Sequence, residues 1–188
     1  MMRIITGKAR GIKLNTLEGT ATRPTAEVVK EGVFSAIQFE LEGTKVLDLF
    51  AGSGQLGLEA LSRGASTAVF VDCAADAVEI IKQNAKKTGL QAGARIIKCE
   101  YGEYIKNCSR LGESFDFIFV DPPYADKIAA EVAKRLFKAG LVNPCGVVIC
   151  ETDQADLEFP DEVEARLESK RVYRYGKTYV YILRSKAG

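Results

Sequence analysis

The 188-residue sequence contains no histidine. That absence removes Ser-His-Asp and Cys-His nucleophilic catalysis, and it argues against a catalytic zinc site, which draws heavily on imidazole. The five cysteines, Cys73, Cys99, Cys108, Cys145 and Cys150, are odd in number and form no C-x-x-C pair. They read as scattered small apolar residues, not as a metal cage or a disulfide framework. No metal is expected. No stretch approaches the roughly 20 apolar residues of a membrane span. The start, MMRIITGKARG, also lacks the apolar core of a secretory signal. The expectation is a cytoplasmic protein with no membrane partner.

What is present suits one globular domain over residues 1–188: 47 % apolar and 27 % charged residues. The net charge of +1 conceals a segregation. Residues 1–30 hold six Lys/Arg against two acids, residues 31–165 thirteen against twenty-two, and residues 166–188 seven against one. Basic ends flanking an acidic centre suit a nucleic-acid partner held by the ends, although charge runs also serve simply as solvated faces.

RIITG-KARG-IKL places β-branched residues on both sides of a Gly- and Lys-rich turn, so residues 1–25 read as a basic β-hairpin extension. In TRPTAEVVKEGVFSAI, Thr25 suits an N-cap and Glu27 the first turn, while Val29, Val33 and Ile37 recur at helical spacing. Residues 45–188 read as an α/β core. The apolar runs KVLDLF, TAVFVD, ARIIKC, FDFIFVD and GVVICE alternate with helical stretches near 55–63, 74–88, 101–109 and 126–138. Short apolar strands with intervening helices predict a doubly wound, mostly parallel seven-stranded sheet with helices on both faces. LESKRVYRYGKTYVYILRS predicts a closing antiparallel hairpin around Tyr175-Gly176-Lys177. Its tyrosines read as cross-strand pairs.

The first strand runs into VLDLFAGSGQLGLEAL, where Gly52, Gly54 and Gly57 satisfy G-x-G-x-x-G, and Asp72 ends the next strand. No Gly-Lys-Ser/Thr follows, so this is not a P-loop. A dinucleotide would bring a pyrophosphate to the helix N-terminus. Asp48, four residues before Gly52, disfavours that anion, and no Lys or Arg in residues 46–62 offsets it. The same acid suits S-adenosylmethionine, which presents an ammonium and a sulfonium. On this reading Asp48, Phe50, Ala51, Gly52, Ser53 and Gly54 line the cofactor. Asp72, with Cys73 beside it, accepts the ribose hydroxyls, and Glu100 and Tyr101 border the adenine.

The fourth strand ends in FVDPPYAD. Ligands of open parallel sheets bind outside the carboxyl ends of the strands, which places this turn beside the glycine loop. A residue before proline is held extended, and each proline fixes its own φ. Asp121 and Pro122 therefore offer two fixed acceptors, a carboxylate and a carbonyl. Pro123 rigidifies the turn and Tyr124 adds a ring. Two acceptors and a ring suit a planar base with an exocyclic amine, which stacks on the tyrosine. Guanine N2, adenine N6 and cytosine N4 all meet that description. Arg3, Lys8, Arg10, Lys13 and Arg23 are candidate phosphate contacts, and the helix start at Thr25 is placed to bring a donor near the base.

D-P-P-Y after such a strand resembles the amino-methyltransferases of nucleic-acid bases. MRIITGKARGIKL, RPT at 23–25, VLDLFAGSGQLGLEALSRGA and FDFIFVDPPY are similar, in order and spacing, to the bacterial small-subunit ribosomal RNA guanine-N2 methyltransferases. The resemblance implies a class I adenosylmethionine-dependent fold and a catalytic Asp121-Pro122-Pro123-Tyr124 hook; a monomer is expected. It also implies a guanine N2 of 16S RNA as acceptor, in an assembled or assembling 30S subunit. Family members often carry glutamate at the second strand end and aspartate at the third; here these are Asp72 and Glu100, which changes their reach. The alternatives are adenine N6 or cytosine N4 methylation of DNA or RNA, and a non-catalytic RNA-binding assembly factor.

Overall fold

The computed structural model of the chain describes residues 2–17, 24–123 and 128–188, and of 24–26 the backbone alone. It divides into two compact units, Met1–Tyr101 and Gly102–Gly188.

In the first unit the amino-terminal segment folds back through one isolated antiparallel bridge, Arg3↔Lys13. Backbone bonds from Leu14 N to Met2 O and from Ile4 N to Ile12 O close it into a strap. Helix α1 (Pro24–Ala36) follows. Strand β1 (Lys45–Asp48), helix α2 (Gln55–Ser62), strand β2 (Thr67–Asp72), helix α3 (Ala75–Thr88) and strand β3 (Ala94–Lys98) then alternate. Both pairings, β1 with β2 and β2 with β3, are parallel. Val46, Leu47, Ala68, Phe70 and Val71 are buried along consecutive positions, as strands covered on both faces require. Helix α3 buries Ala77, Val78, Ile81, Asn84, Ala85 and Thr88, a single stripe at helical spacing. It stops where Gly89 turns left-handed, φ 72°.

Helix α4 (Tyr101–Leu111) leads into the second unit, with strand β4 (Phe115–Val120), helix α5 (Ala129–Lys138), strand β5 (Val142–Thr152), helix α6 (Asp161–Glu164) and strands β6 (Leu167–Tyr175) and β7 (Thr178–Ser185). Strand β5 pairs parallel with β4 and antiparallel with β7, which pairs antiparallel with β6. The seven-stranded sheet has the order β3-β2-β1-β4-β5-β7-β6. This is the doubly wound, mostly parallel seven-stranded sheet with a closing antiparallel hairpin expected from the sequence.

Four local details differ from expectation. Helix α1 starts at Pro24, so Thr25 lies in its first turn instead of capping it; proline's fixed φ suits a helix start. Strand β3 ends at Lys98, two residues short of Glu100. Strand β5 begins four residues earlier than GVVICE, at Val142. The register slips between Phe115 and Phe117, and Cys145 takes φ 60° there. Asn143 and Pro144 interrupt the apolar run, so the bulge hides the extension from a pattern reading. The last hairpin turns on Gly176 and Lys177 alone, with Tyr175 still in β6.

Candidate active site

Each of the three glycines that open α2 has its own physical reason. Gly52 and Gly54 take φ of 52° and 77°, the left-handed region where a side chain is strained. Gly57 has an ordinary φ, but a Cβ there would stand 2.3 Å from the Phe70 ring. It is glycine because α2 lies directly on β2. The loop is tied down by Ala51 N donating to Val71 O at 3.0 Å and Gly54 N to Ala51 O at 2.6 Å.

Two carboxylates brace this turn. Asp72 Oδ2 accepts from Gly52 N at 2.8 Å, and its Oδ1 accepts from Ala74 N at 2.9 Å. One half-buried side chain thus fastens the glycine loop and the entry to α3. Each oxygen keeps a second lone pair for a ligand. Asp48 faces inward, only 2 % exposed, and its Oδ2 accepts from Gly57 N at 2.9 Å. Burial raises its pKa to about 7. The Gly57 hydrogen bond opposes that rise, and the neighbouring Asp72 charge adds to it.

The ends of β1, β2 and β3 converge here. Cys99 N donates to Asp72 O at 3.0 Å, which sets Glu100 and Tyr101 beside the second strand end. The Tyr101 ring packs on Phe50 with centroids 5.1 Å apart. Glu100 and Cys73 are exposed, and Phe50, Ser53 and Tyr101 are half-buried. An acid at the end of β2, a second just past β3, an aromatic pair and a left-handed glycine turn fit an adenosine-bearing ligand.

Three residues that sequence reasoning passed over organise the surroundings. Glu59, fully buried, accepts from Ile5 N at 2.8 Å, Thr6 N at 3.0 Å and Arg63 Nε at 2.8 Å, with Lys30 Nζ 3.6 Å away. Lys30 is itself 2 % exposed, donates to Arg3 O, and has its pKa lowered by burial despite the pull of Glu59 and Glu27. Asn84, fully buried in α3, bonds to both Asn15 and Ser53. A lone acid inside the apolar run LGLEAL, and a lone amide on the apolar stripe of α3, were the available signals.

Of the expected phosphate contacts, Arg3, Lys8, Arg10 and Lys13 are exposed on the strap, with Arg3 paired to Glu27 at 2.8 Å. Arg23, the Thr25 side chain and Tyr124 lie outside the described residues. In the second unit the fully buried Val120 ends β4, followed by a half-buried Asp121, a buried Pro122 and an exposed Pro123. Among the described residues no group of three or more His, Cys, Asp or Glu can hold a metal. No described helix is long and apolar enough to cross a membrane.

The model of the family described as Conserved hypothetical protein 95 matches residues 2–184. The Bacillus subtilis (strain 168) protein YlbH is 34 % identical over 98 % of this chain and 100 % of its own length. Ribosomal RNA small subunit methyltransferase D of Escherichia coli (strain K12) is 32 % identical over 81 % of this chain and 75 % of its own. Among solved structures, Escherichia coli yhhF superposes with a TM-score of 0.81 at 27 % identity, covering 99 % of this chain and 98 % of that one.

Proposed function

We propose the acceptor and the chemistry of this chain from one premise: it belongs to the Conserved hypothetical protein 95 family. It is an adenosylmethionine-dependent methyltransferase acting on nucleic acid. We place its acceptor at the exocyclic N2 of a guanine in 16S ribosomal RNA, within assembled or assembling 30S subunits. The observation that carries this is the presence in one chain of a braced glycine loop, Asp72 included, and of a buried strand β4 that the sequence continues as Asp121-Pro122-Pro123-Tyr124. The name of the Escherichia coli relative supports the ribosomal target.

When bound, adenosylmethionine supplies an electrophilic methyl group. Asp72, Glu100 and the Phe50–Tyr101 pair would hold its adenosine, and Asp48 would face its cationic end. The remaining work falls to residues that position the base. The Asp121 carboxylate and the Pro122 carbonyl accept the two amine protons. This favours a pyramidal nitrogen and aims its lone pair along the line of displacement. Tyr124 stacks on the base and fixes its plane. After transfer the nitrogen is strongly acidic, so Asp121 or water takes the proton without a powerful base.

The decisive experiment gives the protein labelled cofactor with free 16S RNA or with 30S subunits lacking the modification, then digests the product to nucleosides. N2-methylguanosine is expected. N6-methyladenosine or N4-methylcytidine would move the acceptor, since the hook fits any exocyclic amine. Asp121→Ala is expected to lower transfer by about 100-fold or more while leaving calorimetric cofactor binding nearly intact. Transfer at the wild-type rate would overturn the hook.

A further inference from the structure

The strap and the glycine loop are not neighbours by accident of packing. Ser53, the residue between Gly52 and Gly54, is gripped twice. Its hydroxyl donates to Met2 Sδ at 3.0 Å, and its carbonyl accepts from Asn84 Nδ2 at 2.9 Å. The same Nδ2 donates to Asn15 O at 3.0 Å, and Asn84 Oδ1 accepts from Asn15 N at 2.8 Å. Met2 and Asn15 lie near the two ends of the strap, and Leu14, the neighbour of Asn15, donates its N–H to Met2 O. One buried amide thus makes a two-point backbone pair with the strap and a third bond to the cofactor loop. It uses both of its donors.

A second set of bonds fixes the strap's turn to α2, the helix that the loop opens. Ile5 N and Thr6 N donate to Glu59. Lys8 N donates to Ser62 O at 2.8 Å, Ala9 N to Ser62 Oγ at 3.0 Å, and Ser62 Oγ to Thr6 O at 2.6 Å. Gly7 sits so close that a Cβ would lie 1.8 Å from Ser62 O, and its φ is 85°. The strap has no slack against this helix. Its outward face carries the exposed Lys8, Arg10 and Lys13.

We propose that Asn84 is a positioning residue that joins the basic strap and the glycine loop into one unit, so that RNA and adenosylmethionine bind with coupled affinities. The proposal rests on the reading above, in which the strap meets RNA phosphates and the loop meets the cofactor. RNA held on the strap draws on Met2 and Asn15. Through them it biases the Ser53 carbonyl, and with it the planar Ser53–Gly54 peptide. Thermodynamic reciprocity then requires the cofactor to change RNA affinity by the same factor.

The test is calorimetric titration of the full chain with S-adenosylhomocysteine, alone and with saturating 16S RNA transcript, for wild type and Asn84→Asp. The substitution keeps the acceptor for Asn15 N and removes the donor to Ser53 O and Asn15 O. Wild type should show a shift in cofactor-product Kd of about 5-fold or more on adding RNA. In the variant that shift should collapse toward 1. A structural weakening alone would lower melting temperature and both affinities while leaving the ratio unchanged. A wild type that binds both ligands without any shift overturns the coupling and leaves the methyltransferase reading standing. A wild type that binds no S-adenosylhomocysteine strikes that reading instead. If Asn84→Asp does not fold, Met2→Ala tests the other grip, and an unaltered shift in that variant also overturns the proposal.

Discussion

At the scale of single residues, the acid with the most to say is Asp48. Its carboxyl is buried and takes one backbone hydrogen bond, and burial lifts its pKa from 3.8 to about 7. Below pH 3.8 it is protonated whether the chain is folded or not. Between there and about 7 the unfolded chain releases the proton while the folded one keeps it, so stability falls as pH rises. Once the folded group ionises, near 7, the loss levels off. A shift of this size corresponds to an upper bound on the order of 4 kcal/mol. Asn in its place still accepts from Gly57 N and does not ionise. Asp48→Asn is therefore expected to gain stability over wild type as pH rises from 4 to 8, measured by urea unfolding across that range. Cofactor binding should run the other way. If Asp48 faces a cationic ligand, wild-type affinity tightens as pH passes 7, and the Asn variant is weak and flat.

Elements carry a different kind of constraint, the distance at which α2 rests on β2. Gly57→Ala drives a methyl to within 2.3 Å of the Phe70 ring, and the buried ring has little room to yield. Overpacking of this kind costs about 1–3 kcal/mol. Phe70→Leu in the same chain should recover much of it, a non-additivity that a double-mutant cycle by urea unfolding reads directly. The glycine motif was legible in the sequence because conformation and close approach both select for one residue type at fixed spacing. The parallel strands were legible for a related reason, since burial on both faces leaves short, almost wholly apolar runs. The bulge before Gly146 was not, because Asn143 and Pro144 break that pattern. The bonds around Glu59, Ser62 and Asn84 were also hidden. Those that reach the strap join positions 53 to 69 residues apart in the chain and end on its backbone atoms, which every residue supplies alike. The buried role of Asp48 was readable only in part. The strand position was plain, but its cap on Gly57 was one of two compatible roles.

For the molecule as a whole, the near-zero net charge hides where the charge lies. The chain is net basic at its two ends around a net acidic middle. Many of its ion pairs, such as Lys82–Glu79 and Arg135–Glu131, are exposed and add little to stability. Binding to RNA should then follow the local charge of the strap, not the total. Each phosphate contact released on adding salt contributes roughly −0.7 to the slope of log K against log salt for single strands. The backbone bonds of Lys8 and Arg10 hold the strap in place without their side chains. Lys8→Ala with Arg10→Ala should therefore leave the fold intact and leave cofactor-product affinity in the absence of RNA unchanged. It should make the salt slope of 16S RNA binding shallower by roughly 1.4. A slope unchanged from wild type would remove the strap as the phosphate contact. The carboxyl-terminal hairpin, where Arg171 and Lys177 are exposed, would then be the surface to truncate next. A loss of affinity with an unaltered slope would instead point to contacts with bases or sugars, because those release no counterions.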